Sequence, residues 1–95
     1  MEGLADTALR AHVEGRVQGV AFRAWTKGRA RALGLTGWVR NEADGSVSAL
    51  IAGDTESVAQ MVRALHDGPI HARVTRVTTE RADPAEAPPD FRVIY

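Results

Sequence analysis

The chain has 95 residues, enough for one small domain with one core but not for two. Lys and Arg number 12 and so do Asp and Glu, so the net charge is zero and nothing attracts the chain generally to nucleic acid or an anionic membrane surface. Apolar residues make up 44% and cysteine is absent, which excludes a disordered chain, disulfides, thiolate catalysis and cysteine-based metal centres.

Residues 1–8 read as a short flexible N-terminal tail and 9–95 as a single domain. The start, MEGLADTALR, lacks the basic and apolar stretches of a secretory signal. No run approaches the ~18 apolar residues of a membrane span, so a cytoplasmic protein is expected. Leu9 to Val17 alternates, with Leu9, Ala11 and Val13 on one face and Arg10, His12, Glu14 and Arg16 on the other, as a half-buried strand does. A glycine-bounded turn follows from Gly15 to Gly19. Phe22, Thr26, Ala30 and Leu33 then share a helical face, and Gly34 falls where a left-handed residue closes a helix. Gly28 inside that helix costs about 1 kcal/mol relative to alanine.

Thr36 to Asn41 is a second strand and Ser46 to Ala52 a third, joined by a hairpin at Asp44-Gly45. Val58, Met61, Val62 and Leu65 stand at i, i+3, i+4 and i+7, which predicts an amphipathic helix. Asp54 or Thr55 would cap it, and Gly68-Pro69 would stop it. Ala72 to Glu80, with Val74 and Val77, is a fourth strand. Three prolines and three acids between Ala82 and Asp90 predict an irregular, exposed loop. Phe91, Val93 and Tyr95 alternate in a short closing strand. This order describes an α+β, ferredoxin-like βαββαβ sandwich: an antiparallel sheet with both helices on one face.

Two segments carry the candidate chemistry. In GRVQGVAFR, residues 15–23, two glycines permit a tight turn whose N–H groups can converge, and the helix start adds unpaired N–H groups and a positive dipole end. Arg23 adds a fork matched to phosphate. By spacing alone, a plain turn with a surface arginine is the commoner outcome. The second segment is GWVRN, residues 37–41. An amide at the end of a strand, Asn41, can accept from a water while donating elsewhere, or it can simply open the turn. Trp25 and Trp38 read as packing residues, and Glu42 and Asp44 as turn chemistry. His12, His66 and His71 are scattered without metal-ligand spacing, so no metal and no cofactor is expected.

GRVQGVAFR and GWVRNEADGSV, with the LGLTGWVRN run-in and the LHDGP helix end, together resemble the acylphosphatase family from about Val13 to the last residue. The resemblance implies that Arg23 binds phosphate and Asn41 orients the attacking water. It implies further that the backbone of Arg16, Val17, Gln18, Gly19 and Val20 cradles the phosphoryl group. It also implies a stand-alone monomer with a small-molecule acyl phosphate as its partner, and neither nucleic acid nor membrane. Two departures stand out: Ile94 occupies the place of a penultimate arginine in the FRVIY ending, and His12 stands where an aromatic is usual.

An acyl phosphate needs little from a protein. Its leaving group is a stable carboxylate, so positioning and charge stabilisation suffice for a loose phosphoryl transfer. Phosphomonoesters, with poorer leaving groups, call for an acid, a nucleophile or metals that this sequence does not group together. A non-catalytic acylphosphatase-like ligand-binding or regulatory module is the alternative reading. An RNA-recognition domain would need aromatics on its central strands, and Ser46 to Ala52 has none.

Overall fold

A computed structural model of the chain describes residues 6–94. Along it run β1 (Thr7–Arg16), α1 (Phe22–Ala32), β2 (Thr36–Asn41), β3 (Val47–Gly53), α2 (Thr55–Asp67), β4 (Arg73–Arg81), a 3₁₀ turn (Pro84–Glu86) and β5 (Phe91–Val93). The five strands form one sheet in the order β4-β1-β3-β2-β5. Pairing among β1 to β4 is antiparallel throughout, as the ferredoxin-like arrangement requires. β1 opens at Thr7 rather than Leu9, because Thr7 and Ala8 pair with Gly53 and Ala52. Residues 1–5 of the expected tail and Tyr95 of the expected closing strand lie outside the described residues.

The core lies between the sheet and the two helices. Val13, Val47 and Ile51 from the central strands meet Phe22 and Ala30 of α1 and Val58, Met61 and Leu65 of α2. Helical spacing places Phe22 and Ala30, and Val58, Met61 and Leu65, on one face of each helix, and they are buried, whereas Leu33 and Val62 on the same faces are only half-buried. Asp54 is the cap of α2, its carboxylate accepting from the Ser57 N–H at 3.1 Å and the Ser57 hydroxyl at 2.6 Å. Gly34 closes α1 with φ 74°, as expected.

Two expectations about the end of the chain are corrected. The sheet is mixed, since β5 runs parallel to β2. β4 is antiparallel to β1 and hence to β2. The chain reverses once more between Arg81 and Phe91, so the fifth strand is aligned with the second. The segment from Ala82 to Asp90 is not wholly irregular or exposed either. Asp83 accepts from the Ala85 N–H, and Pro84 starts a 3₁₀ turn where the missing donor costs nothing. Ala82 and Ala87 pack with Trp38 on a second cluster, Ala8, Leu50 and Ala52, on the sheet face away from the helices. This explains why β3 is buried on both faces from Val47 to Ala52.

Gly37 is where β2 demands glycine. Its φ is 138°, and a Cβ there would overlap the Leu50 carbonyl oxygen on the neighbouring strand. Trp38, next along, lies under the guanidinium groups of Arg40 and Arg10, 4.8 and 5.6 Å from its ring centroid.

Candidate functional site

The connection from β1 to α1 is held at both ends. Val17 is only 1% exposed and anchors the start, while Phe22 is buried at the first position of the helix. Between them Gly19 has φ 75°, which glycine adopts freely. Ala21 has φ 62°, a left-handed conformation that no other described non-glycine residue adopts. Holding an L-residue there costs about 1 kcal/mol or more, a cost that recurs at ligand-binding turns. The left-handed step lets successive N–H groups face a common concavity. No side chain caps α1, and no acidic residue stands in its first turn. The first intrahelical bond runs from the Trp25 N–H to the Ala21 carbonyl at 3.0 Å, so the helix supplies no acceptor for the N–H groups before it.

A cleft of about 370 Å³ opens at this helix start. The β1–α1 loop lines it with Val17, Gln18 and Gly19, α1 with Arg23 and Lys27, β2 with Asn41 and β5 with Val93. Two cations line the cleft, and no carboxylate among the described residues does. The loop and the end of β2 are tied together by Gln18, whose Nε2 donates to the carbonyl oxygens of Glu42 and Ser46, each at 2.8 Å. Asn41 ends β2 opposite Val47, and its Oδ1 is buried with no donor reaching it among the described residues. A buried amide oxygen with its accepting capacity unused is suited to hold one small donor.

The turn after Asn41 is built from its own polar groups. The Asp44 carboxylate accepts from the Ser46 hydroxyl at 2.6 Å and the Ser46 N–H at 2.9 Å, and these bonds hold its carboxyl below the usual range. Glu42 is lowered as well, first by the Arg40 guanidinium at 2.8 Å and next by Ser48. Both carboxylates are committed to the turn, and neither lines the cleft.

The cleft thus brings together Arg23, Asn41, Val17, Gln18 and Gly19 of the residues expected from sequence. Arg16 and Val20 are not among its lining residues: Arg16 ends β1 opposite Arg73, and Val20 packs against the core. Sequence reading missed the Gln18 side chain, Lys27 and Val93. Only Lys27 had a signal, since it follows Arg23 by four positions and therefore shares its helical face. Among the described residues, no group of three or more His, Asp or Glu side chains is placed to hold a metal ion, and no helix is long and apolar enough to cross a membrane.

The acylphosphatase family profile matches residues 9–93. The chain belongs to the acylphosphatase family. It is 55% identical to an acylphosphatase of Rhizobium etli, over 90% of this chain and 92% of that protein. An acylphosphatase structure from Coxiella burnetii superimposes with a TM-score of 0.88 at 38% identity, over 93% of this chain and 92% of that one. The acylphosphatase of Bacillus subtilis gives the same TM-score at 33% identity, over 93% and 98%. Acylphosphatases are hydrolases acting on acid anhydrides, and the cleft described above sits within the matched segment.

Proposed function

We propose that this chain hydrolyses the carboxyl–phosphate anhydride of acyl phosphates, with Arg23 and the backbone of residues 16–20 binding the phosphoryl group and Asn41 placing the attacking water. Family membership and the acylphosphatase relatives support the reaction. The division of roles rests on one observation: a single cleft joins Arg23, an uncapped helix start and the buried, unpartnered Oδ1 of Asn41. The guanidinium and the converging N–H groups stabilise charge on the three equatorial oxygens of the phosphoryl group. Asn41 Oδ1 accepts from a water and holds it in line with the bond that breaks. The water oxygen bonds to phosphorus, the acyl oxygen leaves as a carboxylate, and inorganic phosphate is the second product. Among the described residues no carboxylate or histidine lines the cleft, and this reading assigns the water's proton to a phosphoryl oxygen. The carboxylate leaves without a general acid, and the reading needs no metal and no cofactor. It also takes residues 9–95 as the catalytic domain of a cytoplasmic monomer whose partner is the small-molecule acyl phosphate.

Alanine variants at the two positions test the assignment by failing differently. Arg23→Ala is expected to raise the inhibition constant of inorganic phosphate and to remove most turnover, because the guanidinium acts in both the ground and the transition state. Asn41→Ala is expected to lose about 10²-fold in kcat while phosphate inhibits nearly as well as before. An Asn41→Ala variant with wild-type kcat, or with phosphate affinity lost as badly as in Arg23→Ala, contradicts this division.

A further inference from the structure

We propose that Lys27 binds a second anionic group on the acyl side of the substrate, so that the chain favours acyl phosphates bearing a further carboxylate or phosphate. The proposal rests on the phosphoryl-site reading above and names the substrate class for that cleft.

The chain has a single lysine among twelve basic residues, and that lysine lines the cleft. Four residues beyond Arg23, it stands one turn, about 6 Å, farther from the helix start. A phosphoryl group seated on the loop, the helix start and Arg23 therefore leaves the ammonium facing the adjoining volume. That volume is substantial. At ~30 Å³ per water, 370 Å³ corresponds to roughly twelve waters, far more than a phosphoryl group, one phosphorus and its oxygens, displaces. Phe22, Ala24 and Val93 give it an apolar wall for the hydrocarbon of an acyl group.

Structural employment does not account for Lys27. Arg29 lies over the Trp25 ring at 5.7 Å, and Arg31 donates to the Phe91 carbonyl at 3.2 Å. Both also stand in the last turn of α1, where a cation suits the helix dipole. Lys27 lies before that turn, and no carboxylate among the described residues pairs with it. An ammonium on a flexible stem serves carboxylate and phosphate alike.

Rigid substrates isolate the effect. Benzoyl, 4-carbamoylbenzoyl, 4-carboxybenzoyl and 4-phosphonobenzoyl phosphates share the reacting bond and differ in the charge at the far end. The wild-type protein is expected to show kcat/KM roughly fivefold higher for one or both charged substrates than for the neutral pair, narrowing with added salt. The carboxylate and phosphonate arms separate the two anion types. Lys27→Gln should bring the charged-to-neutral ratio close to one, and Lys27→Arg should restore it. A ratio near one in the wild-type protein, or one that Lys27→Gln leaves unchanged, overturns the proposal while the hydrolytic reading stands. Failure to turn over any of the four substrates overturns both.

Discussion

The side chain of Gln18 joins the two halves of the site. Its amide nitrogen donates to two carbonyl oxygens, 24 and 28 residues away, on the turn that follows Asn41. Gln18→Ala removes one of two donors from each oxygen, the Gly45 N–H still reaching the Glu42 carbonyl and the Glu42 N–H the Ser46 carbonyl, which should lower stability by about 1 kcal/mol. It also frees the loop from the turn, so kcat should fall several-fold while the phosphate inhibition constant changes less. Urea unfolding and steady-state kinetics check the two halves, and a variant that loses stability but keeps its kcat would make Gln18 purely structural. Long-range partners of this kind explain what the sequence concealed. Arg23 and Asn41 stand beside glycine-marked turns that single them out, but local spacing alone favours a plain turn at each, and their roles are what the resemblance to the acylphosphatase family implies. The partners of Gln18 are distant in the chain, and Val93 reaches the cleft only because β5 lies beside β2. The left-handed Ala21 leaves no trace either, since alanine is an ordinary helix former.

Among the elements, α2 was the most legible, because every local signal agreed. Its apolar residues keep helical spacing, Asp54 caps one end, and Gly68 closes the other with φ 67°. Leu65 is buried in the core beneath the sheet. Leu65→Ala should cost roughly 2–5 kcal/mol, a large part of the ~5–15 kcal/mol of a small domain. An unfolding midpoint within error of wild type would contradict its place in the core. The segment after β4 was least legible, for the opposite reason. Its prolines and acids suit an exposed loop equally well, and only the second cluster on the far sheet face makes Ala82 and Ala87 pack. The direction of β5 is likewise set by where that segment delivers the chain, which periodicity within three residues does not encode.

Over the whole protein, acid should act through a few carboxylates that hold its turns. Glu42 and Asp44 sit in the β2–β3 turn, Asp54 caps α2, and Asp90 precedes β5. All four are lowered from ordinary values of 4.5 for Glu and 3.8 for Asp, by hydrogen bonds from Arg40, Ser46, Ser57 and Arg92 respectively. A depressed carboxylate binds fewer protons in the folded than in the unfolded chain. Its contribution to stability is therefore fully present above the ordinary carboxylate range and disappears as pH falls through the lower folded values. The urea midpoint should accordingly differ little between pH 7 and pH 5.5 on account of these groups, and fall between pH 4.5 and pH 3. Charge repulsion among the 12 Lys and Arg residues and three histidines also grows in acid, so the fall alone does not identify the cause. Glu42→Gln with Asp44→Asn separates the two effects. Those substitutions remove two of the titrating bonds yet leave the basic residues in place, so the variant should lose less of its own stability between pH 4.5 and pH 3 than wild type does. Equal losses would assign acid sensitivity to general repulsion, and a midpoint that rises on acidification below pH 4.5 would contradict the direction of all four shifts.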